Sequence, residues 1–271
     1  MTVFEFTLKL AREAGELILE QRSKNELTHQ YKNGQELVTN ADLLADKLIV
    51  DTIRSTYPND HILSEESSPE SVAFTELGAP LWIIDPIDGT VNYAHGHIQS
   101  AVSIAYVDKG QIRHGVVYNP FTDEMFSAQL GGGSQLNGKS ISVATEQDLR
   151  RSIIATGFPY DKATIKPMLT RVSAVLTQCA DIRRLGSAAL DICWLAAGRL
   201  DGYYESLSIW DFAAAQLIAR EAGAQWGHFS EVPAGIDPQF HCQDILAANP
   251  ALYPKLLALL QEADATGKGG S

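Results

Sequence analysis

Apolar residues recur at Phe4, Leu8, Ala11, Gly15 and Ile18, with Lys9, Arg12, Glu13 and Glu16 between them, so residues 1–22 read as an amphipathic helix. A polar stretch over 23–35 follows and is expected to be a mobile loop. Thr39 or Asn40 caps a second predicted helix, which runs to about residue 55 and stops at Tyr57-Pro58-Asn59. From residue 62 the period changes. Apolar and polar positions alternate over 100–107, 111–118 and 124–129, with turn signals at Asp108-Lys109-Gly110 and Asn119-Pro120, and an antiparallel meander is predicted. Beyond residue 150 strands alternate with helices. Strands are predicted over 152–155, 202–205 and 245–248, and helices over 166–179, 187–197, 212–222 and 250–263. The order implies an α+β chain read as one domain over 1–264, a meander half to about 148 and a mixed half from 149. The tail, 265–271, is expected to lie outside the fold.

One apolar run ends unlike the others. Trp82-Ile83-Ile84 reads as a buried strand, and Asp85-Pro86-Ile87-Asp88-Gly89-Thr90 follows at once. Proline holds its own φ near about −65° and biases the preceding residue toward extended backbone. Both acids are therefore expected on a stiff turn at the strand end, and Gly89 lets a ligand approach the backbone. Two like charges so placed are costly unless a cation joins them, and hard oxygen donors suit Mg²⁺. A surface turn with two solvated acids is the competing reading. Further acids sit in equally tight settings: Glu65 and Glu66 end the run from Ile62, and Asp211 lies between Trp210 and Phe212. Asp211 also suits simple helix capping at the start of the 212–222 helix.

Charge and cysteine content narrow the function classes. The 271 residues carry 21 Lys and Arg against 33 Asp and Glu, a net charge of −12, which argues against direct nucleic-acid binding. No apolar stretch is long enough to span a membrane. Three cysteines without metal spacing, and no secretory segment, point to a reducing cytoplasm. Residues 133–140 satisfy a phosphate-loop pattern, but Ser140-Ile141-Ser142-Val143 reads as strand where that mechanism needs a helix, and Asn137-Gly138 is a hairpin turn. A nucleotide triphosphatase is discounted on that ground. His95 and His97 follow the acid motif as candidate ligands, although backbone bonding or solvent is the commoner fate. Arg183 and Arg184 suit either a phosphate contact or ion pairs, and Asp201 reads as a turn residue.

Glu65-Glu66-Ser67, Asp85-Pro86-Ile87-Asp88-Gly89-Thr90 and Trp210-Asp211 with Glu221-Ala222-Gly223 together resemble the signature set of the inositol monophosphatase family. The stretch from Arg183 to Leu190 and the Leu37-Val38-Thr39-Asn40-Ala41-Asp42 run match as well, so the resemblance spans about 5–260 in family order. It implies a layered αβαβα sandwich of the inositol monophosphatase / fructose-1,6-bisphosphatase type. It further implies a Mg²⁺-dependent, Li⁺-sensitive phosphatase that hydrolyses a small phosphate monoester, most directly inositol 1-phosphate, with no phosphoenzyme. Two to three Mg²⁺ are implied. Glu65, Asp85 and the Ile87 carbonyl would hold one, Asp85, Asp88 and Asp211 a second, and Glu65 with waters a weaker third. Thr90 bonded to Asp42 would orient the attacking water, and the Gly89 and Thr90 amides would hold phosphate. Gly186, Ser187, Ala188 and Glu205 would contact the substrate. The 205–211 stretch is one residue shorter than in inositol enzymes, so fructose 1,6-bisphosphate, NADP(H) and 3′-phosphoadenosine 5′-phosphate stay open. A homodimer is implied too. Some bacterial members act through transcription complexes, which makes a regulatory partner-binding protein the alternative from another class.

Overall fold

The computed structural model describes residues 1–271 apart from 25–26, 33–35, 68–78, 160–164 and 269–271. Helix α1 (Val3–Ser23) leads to an antiparallel hairpin, β1 (His29–Lys32) with β2 (Glu36–Thr39). Strand β1 stands inside the 23–35 stretch where a loop was expected. The His29, Gln30 and Tyr31 side chains of β1 are exposed, so backbone pairing forms that strand with no apolar alternation to announce it. Thr39 caps α2 (Asn40–Thr56). Next come β3 (His61–Ser64), β4 (Leu81–Asp88), the short α3 (Thr90–Ala94), β5 (Ala101–Asp108), β6 (Gln111–Asn119), β7 (Glu124–Gln129), β8 (Gly133–Leu136) and β9 (Lys139–Ile141). These strands form a seven-stranded sheet in sequence order, parallel at β3–β4 and antiparallel elsewhere.

The second half supplies β10 (Ile153–Thr156), α4 (Ile165–Gln178), β11 (Asp181–Arg183), α5 (Ala188–Ala196), β12 (Gly202–Glu205), α6 (Ile209–Glu221), β13 (Gln225–His228), β14 (Ile245–Ala248) and α7 (Tyr253–Lys268). Its five strands run in the order β11-β10-β12-β14-β13. Helix α6 starts three residues before the expected 212, because Ser208 and Asp211 form a capping box ahead of the apolar run. Helix α7 continues past 264 through the first residues of the expected tail, and 269–271 lie outside the described residues.

Alternation along the strands sets the layers. Trp82 and Ile84 of β4 point to α1 and α2, where they meet Phe6, Leu10, Ala45 and Ile49. Leu81 and Ile83 point the other way, into a cluster with α5 and α6. Covered on both faces, β4 reads as a continuous apolar run instead of an alternating one. The far side of α5 and α6 meets Ala155, Tyr203, Ile245 and Ala247 of the second sheet. The opposite face of that sheet, with Ile154, Tyr204 and Leu246, packs on Met168 and Val175 of α4 and on Leu256 and Leu260 of α7. The layers are thus helix, sheet, helix, sheet, helix. Helix α6 lies between two sheets, which explains why 212–219 is buried all round and rich in alanine.

Candidate active site and metal centre

The ladder between β4 and β5 pairs Asp85 with Ser103 and Asp88 with Ala101, so it loses register between the two acids. Pro86 has no N–H to continue it, and a bulge results. Both acids therefore belong to the strand itself and not to a turn after it, with the bulge aiming their side chains. The Ile87 amide donates to Asp85 Oδ1 at 3.0 Å. Gly89 follows at φ +90°, and a Cβ there would lie 2.7 Å from the Gln99 carbonyl oxygen, so only glycine fits. Chain direction reverses at this point into α3.

Each acid is anchored separately. Asp88 Oδ2 accepts from Ser187 Oγ at 2.5 Å and from the Ala189 amide at 2.8 Å, at the start of α5. Asp211 Oδ2 accepts from the Ser208 amide at 2.8 Å at the start of α6. Carboxylate oxygens of Asp85, Asp88 and Asp211 lie within 4.8 Å of one another. Burial, then the charges of Glu65, Asp88 and Asp211, push the Asp85 carboxyl well above its usual range. Burial followed by Asp88 and Glu65 does the same to Asp211. Burial also raises Asp88, to about 6, although the Ser187, Ala189 and Ala188 bonds and Arg184 oppose it. An assembly of hard oxygens under such mutual repulsion fits a divalent cation, which would offset the repulsion and use the donors.

Hydrogen bonds around the cluster fix the groups beside it. Thr90 Oγ1 lies 3.1 Å from Asp42 Oδ1 and 3.1 Å from the Ile87 carbonyl oxygen. Asp42 Oδ2 in turn accepts from the amide and hydroxyl of Thr39, at 2.9 and 2.6 Å, and burial raises its pKa. Glu205 ends β12, where the Tyr203 hydroxyl donates to it and burial lifts its pKa to about 7. A Cβ on Gly157 would fall 2.0 Å from Glu205 Oε1.

Of the residues singled out from the sequence, Glu65, Asp85, Ile87, Asp88, Gly89, Thr90, Gly186, Ser187, Ala188, Glu205 and Asp211 all line one cleft of about 390 Å³. Asp42 reaches it only through Thr90. His95 and His97 do not line it, and the His97 carbonyl accepts from Arg22. Arg183 pairs with Asp181, whereas Arg184 borders the cleft with its guanidinium 5.5 Å from the Phe158 ring. Residues 133–140 form the β8–β9 hairpin, with Asn137 and Gly138 both at positive φ. A larger depression around Glu146, Arg151 and Lys255 shares no residue with the cleft. Sequence reasoning missed Gly157 and Asp191. Asp191 is the lone acid of the apolar helix α5, is buried, and lines the cleft with its Oδ1 unpaired among the described residues.

The chain matches the inositol monophosphatase family over residues 1–265. It belongs to that family. The Nus factor SuhB of Vibrio cholerae is 40% identical over 265 residues, covering 96% of each chain. The extragenic suppressor protein SuhB of Bartonella henselae superposes with a TM-score of 0.87 at 34% identity, over 96% of this chain and 98% of that one. The Thermotoga maritima IMPase gives 0.86 at 30%, over 98% and 100%. This inositol monophosphatase family member has the layered α+β sandwich of those structures and is a phosphatase of their superfamily.

Proposed function

We propose that the protein is a Mg²⁺-dependent phosphate monoester hydrolase whose substrate is inositol 1-phosphate. The observation that carries this reading is the convergence of Asp85, Asp88 and Asp211 within 4.8 Å, beside the Gly89-Thr90 turn and in one cleft with Glu205. Glu65, Asp85, the Ile87 carbonyl, Asp88 and Asp211 would hold two to three Mg²⁺. Bound there, the ions lower the pKa of water and offset the charge of the phosphoryl oxygens. The protein's own groups do the rest. Thr90 Oγ1, held by Asp42, orients the attacking water toward phosphorus, and the Gly89 and Thr90 amides grip phosphate oxygens. Ser187 and the Ala189 amide keep Asp88 from turning away from the cluster. As the water oxygen bonds to phosphorus, the ester P–O bond breaks and the alcohol leaves with a proton. Glu205, fixed by Tyr203, accepts a hydrogen bond from a substrate hydroxyl, with Gly186, Ser187 and Ala188 along the same wall. Lithium inhibition, cytoplasmic residence and a homodimer accompany this reading.

Phosphate release from inositol 1-phosphate, fructose 1,6-bisphosphate, NADP⁺ and 3′-phosphoadenosine 5′-phosphate, each with Mg²⁺ or EDTA, tests it. Inositol 1-phosphate is expected to turn over fastest, and a higher kcat/KM for another ester would transfer the substrate assignment. The name Nus factor carried by the Vibrio relative favours a second role, in partner binding. Stoichiometric capture of a partner by both the native protein and Asp88→Asn would support that role independently of hydrolysis.

A further inference from the structure

Asp46 lies one turn after Asp42 on α2 and is only 6% exposed. Its Oδ1 accepts from Ser64 Oγ at 2.5 Å and from Ser67 Oγ at 3.3 Å. Those two serines bracket Glu65 and Glu66. The same segment is tied to the acid-bearing strand, since Ser64 pairs with Ile84 and the Glu65 amide donates to the Ile84 carbonyl at 3.1 Å. Residues four apart share one face of a helix. Helix α2 therefore delivers Asp42 to Thr90 and Asp46 to the Glu65 turn from a single face. An aliphatic residue would fill a buried site at less desolvation cost than a carboxylate, so packing alone does not call for an acid here.

We propose that Asp46 is a positioning residue for Glu65. By gripping the serines on both sides of the Glu65-Glu66 pair, it sets the Glu65 carboxylate against the Asp85, Asp88 and Asp211 cluster. Helix α2 then registers the Thr90 side and the Glu65 side of the cleft as one rigid body. This rests on the reading of Glu65 as a ligand for a divalent cation. Isothermal titration of Mn²⁺ into the intact protein tests it without relying on turnover. Asp46→Ala is expected to weaken Mn²⁺ binding by ~10-fold, as loss of a group that orients a ligand does, while Asp46→Asn, which keeps an acceptor oxygen, stays within ~2-fold. In steady state Asp46→Ala lowers kcat and leaves KM for the ester unchanged, because the phosphate-gripping turn is untouched. Asp46→Ser, polar but too short to span both serines, replaces the alanine variant if that one is unstable, with the same expectation. A merely structural Asp46 would lower thermal stability and leave the affinity of the folded protein alone. Folded Asp46→Ala or Asp46→Ser with native Mn²⁺ affinity, alongside weakened binding in Glu65→Gln, overturns the proposal alone. Native affinity in Glu65→Gln overturns both the proposal and the ligand reading beneath it.

Discussion

Glu205 is held in place by what is missing at residue 157. Its carboxylate occupies the volume a side chain there would need, so Gly157→Ala must displace it. We expect KM for a polyol phosphate to rise by ~10-fold or more, since misplacements of about an ångström cost rate and binding steeply. A substrate without hydroxyls, such as 4-nitrophenyl phosphate, is expected to show no such change, and parallel kinetics on the two esters check this. His114 carries a prediction of another kind. Its ring stacks on Tyr106 at 5.5 Å and meets Phe4 at 5.5 Å, and burial lowers its pKa from 6.5. The native state thus prefers the neutral ring. The stability this contributes is complete above pH 6.5 and is lost as pH falls from that value through the lowered native pKa. Melting temperature measured from pH 7 down to pH 5 should therefore fall less in His114→Phe than in the native protein.

Among elements, α2 joins stability to chemistry. Thr39 donates both its amide and its hydroxyl to Asp42, which holds Thr90. Thr39→Ala removes a helix cap and is expected to cost ~1 kcal/mol in denaturant unfolding, and it also frees Asp42 to turn. Activity should fall by more than the folded fraction does, a comparison that needs only a parallel unfolding curve. Elements built on strong periodicity were legible from the chain alone: α2 with its cap, the meander β5–β7, and β12 and β14 at their observed bounds. Strand β1 was not, because the exposed side chains of His29, Gln30 and Tyr31 leave no alternating pattern. The bulge in β4 was misread as a turn for a local reason. Pro86 signals an interruption in pairing, but whether the chain then reverses depends on β5 beside it. At the site, Asp85, Asp88 and Asp211 announce themselves by sitting next to large apolar residues. Gly157 and Asp191 matter only through neighbours distant in sequence, so no short motif marks them.

On the scale of the whole molecule, the cleft opens where β4 of one sheet, β12 of the other and the starts of α5 and α6 converge. The acids are thus supplied by segments that the fold must bring together before they repel one another. A divalent cation held by these acids, as proposed, would therefore couple its binding to folding. Mg²⁺ should raise the melting temperature and EDTA should reverse it, with a gain of ~2.7 kcal/mol at one hundred times the dissociation constant. Asp211→Asn removes one of the mutually repelling charges. In EDTA it is expected to melt at or above the native protein, and its response to Mg²⁺ should be much reduced. Scanning calorimetry with and without the ion reads both effects. No helix among the described residues is long and apolar enough to cross a membrane.

Mg²⁺-dependent phosphate release by the native protein and by Asp88→Asn tests the central claim most directly. Asp88 is anchored by Ser187 and Ala189 independently of any ion, so the asparagine variant should fold and lose ~10²-fold or more of the activity. Native protein that releases phosphate only with Mg²⁺, and a folded variant that does not, is the predicted result. Equal release by the two proteins, or none by the well-folded native protein from any ester of the panel, would contradict it.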